Sequence, residues 1–307
     1  MHLAAAIRHR YRGPVRKSPV LIGVAGLFLA LAPCARARGE TTLPASIPEI
    51  QGARALAMSA YRGLAAGNDA IFVNAASLAA TKRYSIETQW MLDRFGDSTA
   101  IHTLGVSVVD SQMADVTGGF AFTRVLAGPW TGNLFHVAFA TPVTAGLYLG
   151  AVLKYQSLDG PAGDQTKAAN VDASAYWRLA QLVGIGVTGY NLISAGHKML
   201  QPRALGVGVS VGDDHLYRLA ADWRGDFDRR ESLTSAYAVG GEFVVNDLVP
   251  LRASYLKDET RDASFWSAGI GIVSSQGVGL DFTYRQGIED SRERAFALAL
   301  KLFVFGT

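Results

Sequence analysis

Beyond residue 40 the 307-residue chain carries four histidines, His102, His136, His197 and His215, and no cysteine. A zinc centre draws three or four ligands from Cys, His and carboxylates at short spacings. A hydrolytic triad needs an acid and a nucleophile in reach of its histidine. None of the four histidines has a second ligand or an acid at such a spacing, and no HExxH or phosphate loop is present. The GxG repeats at Gly184–Gly186, Gly206–Gly208 and Gly269–Gly271 sit inside strand-like runs, whereas nucleotide binding needs them at a strand-to-helix turn. The expectation is a protein that is not an enzyme and that uses no cofactor and no metal.

The charged residues carry more information. Glu87, Lys154, Arg178, Arg218, Asp222, Arg224, Glu242, Arg252, Asp281 and Arg285 all fall on the parity opposite large apolar neighbours. His136, between Phe135 and Val137, does the same. Both signs are mixed, which suits ion pairs between strands or with something enclosed, and would also suit a polar channel. Which use applies depends on the elements that hold these residues.

Those elements alternate with period two from Tyr84 to the C-terminus. In ALGVGVSVG, residues 204–212, Leu205, Val207, Val209 and Val211 share one face while Gly206, Gly208, Ser210 and Gly212 share the other. A half-buried soluble strand sets polar residues against apolar ones, and glycine weakens a strand unless something needs the space. One face here must meet a greasy medium, and the other something crowded. About 14 such segments are separated by turn signals such as SLDGPAGDQ (157–165), RGDFDRRES (224–232) and KDETRD (257–262). Each is close to the roughly 9–11 residues with which a tilted strand crosses a bilayer, and several end in Trp or Tyr. Only closed barrels satisfy the backbone of a sheet in lipid, with apolar residues outward and small or polar ones inward. The sequence therefore predicts an all-β fold: a transmembrane antiparallel β-barrel of about 14 strands over residues 83–307. A secreted β-sandwich with its apolar parity buried is the competing fold.

The N-terminus is different. MHLAAAIRHRYRGPVRKSP is basic, VLIGVAGLFLALA is apolar but short of the about 20 residues of a spanning helix, and Ala35-Arg36-Ala37 follows. That is the layout of a signal peptide over residues 1–37. An uncleaved anchor, or a lipoprotein box at Leu31–Cys34 with Pro33 in place of a small residue, are the alternatives. The chain has 29 Lys+Arg and 26 Asp+Glu. Residues 1–37 hold six of those bases and no acid, leaving 23 against 26, a formal −3. The basic pI near 9.0 thus belongs to the export segment, and no nucleic-acid partner is expected. The single cysteine, Cys34, lies there too.

Residues 38–82 have no period-two pattern and are rich in Ala and Gly. A barrel of about 14 strands is too wide for its own side chains to fill, so this stretch is expected to be a short, partly helical plug. Within GARALAMSAYRGLAAGNDAIFVNAASLA, the residues Gly52-Ala53-Arg54-Ala55, Met58, Asp69-Ala70, Phe72 and Asn74-Ala75-Ala76-Ser77-Leu78 resemble the N-terminal signature of the PorV/PorQ and FadL-like outer-membrane proteins. Ala75 and Ser77 stand where that signature has proline and glycine. The resemblance covers about 30 residues. It implies residence in the bacterial outer membrane and passive transport of small hydrophobic or amphipathic molecules. Some relatives look instead like secretion-system components, which implies a scaffold with a plugged lumen. A polar porin is the third possibility.

On this reading the contacts of the chain are membrane lipids, a hydrophobic small-molecule ligand and the barrel-assembly machinery. Ligand would bind an apolar pocket between plug and wall, then leave as the plug moves or through a lateral gap. Arg54, Asp69 and Asn74 are the plug and ligand candidates, with Arg54 anchored to a carboxylate such as Glu87 or Asp281. The lumen-facing candidates are Glu87, His136, Arg178, Arg218, Asp222, Asp281 and Arg285.

Overall fold

The computed structural model describes residues 52–304 apart from 65–66, 97–99, 113–114, 161–162, 164, 181, 194–200, 214–215 and 275. The export segment, Cys34, residues 38–51, His197 and the last three residues lie outside the described residues.

Fourteen strands alternate up and down: β1 (Tyr84–Arg94), β2 (Ile101–Asp110), β3 (Thr117–Ala127), β4 (Trp130–Thr144), β5 (Leu147–Asp159), β6 (Gln165–Leu179) and β7 (Val183–Tyr190). They continue with β8 (Ala204–Gly212), β9 (Tyr217–Asp226), β10 (Thr234–Val245), β11 (Val249–Asp258), β12 (Ala263–Val273), β13 (Val278–Gly287) and β14 (Arg294–Val304). Each pairs antiparallel with its sequence neighbours, and β1 pairs with β14 from Tyr84↔Val304 to Arg94↔Arg294, so the sheet closes on itself. Closure leaves no edge strand with unpaired backbone groups.

The strands lie within a few residues of the alternating segments in the sequence. β7 is shorter than its apolar run because Asn191 adopts a left-handed φ of 55°. Its backbone N–H donates to Asp172 Oδ1 at 2.7 Å and its amide to the Pro202 carbonyl at 2.7 Å, turning the chain out of the sheet. The turn-rich stretch 157–167 is not one long loop. β5 and β6 pair as far as Asp159↔Gln165, and the longer connection runs from 191 to 203. Connections at the end holding Tyr84 and Val304 are mostly short turns, and those at the other end include the longer loops; the two ends are called the turn side and the loop side below.

The parities point as the alternation requires. Leu153, Leu219 and Val239 are exposed by 52, 55 and 54%, while their strand neighbours Val152, Ala220 and Ala238 are buried. The outward set is apolar from strand to strand, and aromatic residues band it: Trp223, Tyr237, Trp266 and Tyr284 toward the loop side, Trp177, Tyr217 and Phe243 toward the turn side. An apolar surface this continuous is incompatible with a free monomer in water and fits the banded exterior of a barrel in lipid. The sandwich alternative, with Leu and Val meeting between two sheets, is ruled out by closure. Val239→Arg, at the middle of β10, is therefore expected to cost about 2–4 kcal/mol of stability in a bilayer, read as a lowered urea midpoint for protein refolded into vesicles. An unchanged midpoint would contradict lipid exposure of this face.

Among the described residues, one stretch of chain lies inside the barrel. Residues 52–64 and 67–80 form helix α1 (Ala53–Met58), a short helix α2 (Ala70–Val73) and a 3-10 turn (Ala75–Ala80). Apart from Arg54 and Ala80 their apolar and polar side chains are almost wholly buried. α1 packs on β10 to β14, and the 3-10 turn on β3 to β6. Neither helix is long enough to be stable alone; the wall holds them in shape.

Candidate functional site

The site is the interface between this inner segment and the wall. Its first ingredient is missing side chains. Gly186 and Gly240 face inward on β7 and β10, where a Cβ would collide with the Arg62 and Met58 carbonyls respectively. On β8, Gly206 faces the Arg62 side chain, and Gly208 faces the Asp222 carboxylate, Arg62 Cβ and the Gly63 backbone N. The glycine face of ALGVGVSVG is small because Arg62, Gly63 and their Asp222 anchor lie against it.

The second ingredient is charge. Arg54 on α1 grips Glu242 of β10 through two bonds, Nε–Oε2 at 3.1 Å and Nη2–Oε1 at 2.7 Å. Glu242 also takes Arg252 Nε at 2.6 Å. Arg252 Nη1 reaches Asp281 Oδ1 at 2.6 Å, and Lys301 Nζ reaches Asp281 Oδ2 at 2.8 Å. Lys301 stands 3.7 Å from Glu87. An ion-pair ladder thus crosses β10, β11, β13, β14 and β1 with Arg54 plugged into one end. Its anchor is Glu242, not Glu87 or Asp281: Asp281 is held by Arg252 and Lys301, and Lys301 stands beside Glu87, while Glu242 at the end of the ladder takes Arg54.

A second anchor joins the other half of the segment to β9. Asp222 Oδ2 accepts from the Tyr61 and Arg62 backbone N–H groups at 2.8 and 3.0 Å and from Arg62 Nη1 at 3.1 Å. Arg62 Nε donates to Tyr190 Oη at 2.9 Å, and that hydroxyl donates to the Val73 carbonyl at 2.6 Å. Asn74 donates to the Arg62 carbonyl at 2.9 Å and to the Ala175 carbonyl of β6 at 3.2 Å, tying both halves of the segment to the wall.

The other expected residues have separate places. His136 is inward and meets the Phe72 ring edge-on at 5.0 Å, a packing contact with the inner segment. Arg285 binds Asp93 of β1 at 3.0 Å and lies over Phe265 at 4.8 Å, on the loop side and away from Arg54. Arg178 and Arg218 line a small cavity at the turn side with Leu64 and Ser210. Asp69 is wholly buried, and loss of water pushes its carboxyl above the usual range, opposed by Lys301 and Arg54. Arg62, Tyr190, Glu242, Arg252 and Lys301 complete the site. Parity points to the three wall charges, whereas nothing in the aperiodic segment marks Arg62.

Two further points of chemistry follow. Gly208–Gly212 spells G-x-S-x-G, the pattern of a nucleophile elbow, but that motif works on a strand-to-helix turn. Here it is mid-strand, and Ser210 Oγ donates to the Gly63 carbonyl at 2.5 Å. On the wall, each strand pairs with both its neighbours. The shortest ladder, between β6 and β7, runs from Ala173↔Gly189 to Leu179↔Val183 and leaves Gln165–Asp172 of β6 beyond it, where the Leu192 N–H donates to the Val171 carbonyl. An apolar groove of about 600 Å³ involves Val209, Val211, Leu219, Val239 and Tyr255, which belong to the outward parity; it is not the expected pocket between plug and wall.

Inward on the loop side, Val125, Ala127, Trp130, Leu134 and Leu158 form an apolar cluster on β3 to β5, facing the lumen where a polar pore would carry charge. No protein-family model and no curated protein matches the chain. Solved structures do. The CymD monoaromatic hydrocarbon channel matches with TM-score 0.61 and 11% identity over 82% of this chain and 96% of its own. The Ralstonia pickettii toluene transporter TbuX matches with TM-score 0.63 and 12% identity over 83% and 97%. A Pseudomonas aeruginosa FadL homologue matches with TM-score 0.59 and 12% identity over 86% and 99%. At such identities the likeness is one of fold: a closed 14-stranded barrel of the FadL type.

Proposed function

We propose that the chain is a passive conduit for small hydrophobic or amphipathic molecules in the bacterial outer membrane, with residues 52–80 as its hatch. The observation that carries this is the apolar patch Val125, Ala127, Trp130, Leu134 and Leu158 on the lumen face of the loop side. Its members are almost wholly buried; when they part, a charged solute gains nothing from their surface, whereas an apolar one covers it at roughly 25 cal/mol per Å². The shared fold with a hydrocarbon channel and a toluene transporter adds support and suggests monoaromatic hydrocarbons as the first probe. Export by a cleaved signal at residues 1–37 and insertion by the barrel-assembly machinery complete the reading. The solute passes as the hatch shifts, or leaves through the wall beside β6, where the ladder with β7 ends at Ala173. Only the chain's own groups act: the patch collects the solute, and the Arg54 and Arg62 anchors hold the hatch until it yields.

Cells producing the chain are expected to take up radiolabelled toluene several-fold faster than control cells. Leu134→Asp, which sets a charge in the patch, is expected to remove most of that gain while the folded barrel remains heat-modifiable on a gel. Equal uptake with and without the chain would overturn the proposal. The second reading, a sealed scaffold or secretion partner of the PorV/PorQ kind, draws on the bidentate Arg54 anchor and the buried Asp222. It predicts no uptake together with a specific protein recovered by crosslinking.

A further inference from the structure

The apolar patch of the loop side has a polar rim. On the inner face of β3, β4 and β5 the residues pair in rows. Ala127↔Trp130 lies at the mouth, followed by Val125↔Gly132↔Leu158, Thr123↔Leu134↔Gln156 and, nearest the hatch, Ala121↔His136↔Lys154. Thr123, Trp130, His136 and Gln156 are exposed by only 0, 6, 8 and 4%. Yet the Thr123 hydroxyl, Trp130 Nε1, His136 Nδ1 and Gln156 Nε2 have no hydrogen-bond partner among the described residues. Buried polar side-chain atoms are ordinarily paired, and the backbone of these strands is engaged in its own ladders.

The unpaired groups share a character. Trp130 Nε1 and Gln156 Nε2 can only donate, the Thr123 hydroxyl can donate, and His136 Nδ1 can do either. Gln156 has its carbonyl oxygen turned away, accepting from Gln201 Nε2 at 3.4 Å. The neighbouring charges are matched: Lys154 Nζ lies 2.6 Å from Asp172 Oδ1 and donates to Asn191 Oδ1 at 2.5 Å. The rim therefore offers hydrogen-bond donors beside an apolar surface, with its nearest charge already balanced. At the mouth the chain after β5 closes over the patch, since a Cβ on Gly160 would stand 2.7 Å from the Trp130 ring.

We propose that patch and rim are one binding site for a small, mostly apolar molecule carrying a single uncharged acceptor oxygen, as in a ketone, ester or ether. Its body displaces the contacts among Val125, Leu134 and Leu158, and its oxygen accepts from the row of Thr123 and Gln156. A carboxylate would bring a charge that Lys154, already paired, does not balance. A plain hydrocarbon would leave the donors stranded. A site built to hydrogen-bond its ligand rejects the analogue lacking that group far more strongly than an apolar pocket rejects a change of size. His136, one row nearer the hatch, meets Phe72 of α2 edge-on at 5.0 Å, so an occupant of this row lies one side chain away from the hatch.

This deepens the conduit reading by naming what the conduit selects. Full-length protein in phospholipid vesicles is dialysed against acetophenone and, separately, α-methylstyrene, which has the same shape with a methylene in place of the oxygen. Protein-free vesicles give the partition into lipid, which is subtracted. Wild type is expected to bind acetophenone at least about tenfold more tightly, and the Thr123→Val, Gln156→Leu double variant to lose most of that preference. Equal affinities in wild type overturn the inference. An undiminished preference in the double variant does the same, and would mean that the rim holds water only. Should the double variant fail to fold, the wild type decides through the infrared band of an isotope-labelled acetophenone carbonyl. On binding it should fall below its position in vesicles alone, the mark of an accepted hydrogen bond, and an unshifted band overturns the inference. Toluene uptake without the preference would sink this inference alone. The preference without any uptake would sink the conduit alone.

Discussion

Gly186→Val is expected to drive the hatch out of the barrel and turn a closed protein into a conducting one. The added Cβ would overlap the Arg62 carbonyl and lie 2.5 Å from Asn74 Nδ2. Neither atom can step aside. The Arg62 carbonyl is backbone and accepts the Asn74 amide, which also bonds the Ala175 carbonyl. Overpacking alone costs about 1–3 kcal/mol, and each buried hydrogen bond broken adds about 1 kcal/mol. The strain is relieved by moving the hatch, because the ladder of β7 with β8, from Val183↔Val211 to Tyr190↔Ala204, ties down the wall. In a planar bilayer the variant should show long-lived openings that wild type lacks. Gly118→Ala, where nothing stands within 4 Å, serves as the control and should stay closed. A Gly186→Val protein as silent as wild type would show that the hatch is not the seal.

The second large effect is expected at Asp222. Its carboxylate is buried and takes three hydrogen bonds from the hatch, two of them from backbone N–H groups. Asp222→Leu strands those donors and leaves the Arg62 guanidinium without its counter-charge, at a cost of about 3–5 kcal/mol. With a typical urea dependence of about 1–3 kcal/mol per molar, the unfolding midpoint should fall by about 1–5 M. Asp222→Asn keeps one acceptor oxygen and should lose less. Adding Arg62→Met to Asp222→Leu should recover part of the loss, since replacing both members of a buried pair by apolar groups is far cheaper than removing one. A midpoint unchanged in Asp222→Leu would mean that this anchor holds nothing.

The barrel was legible in the sequence because its physics is local. A strand with lipid on one side and a crowded interior on the other writes its two faces in period two, as in Val207, Val209 and Val211 against Gly206, Gly208 and Ser210. The same parity points inward for Glu87, Asp222, Glu242 and Asp281, all of them buried. Which charge meets which is another matter. Arg54 pairs with Glu242 across 188 positions of sequence, and that depends on where the hatch drapes, for which no period exists. Strand order and register place Arg252 between Glu242 and Asp281, and with that bridge in place Arg54 reaches the outer member. The glycines show the same limit. Alternation says that something lies against Gly240; only the fold says that it is the Met58 carbonyl. The extent of each ladder, including the early end of the β6–β7 ladder at Ala173↔Gly189, likewise follows from the register of whole strands and not from any one segment.

The claim beneath all of this is that the outward face touches lipid chains while the inward face is enclosed. Two tryptophans report on it directly: Trp177 points outward on β6 with 48% of its surface exposed, and Trp130 points inward on β4 with 6%. Single-tryptophan variants keeping one or the other, reconstituted in vesicles of brominated phospholipid, should differ sharply, with Trp177 fluorescence strongly quenched and that of Trp130 nearly untouched. Equal quenching of both, or of neither, would contradict the account.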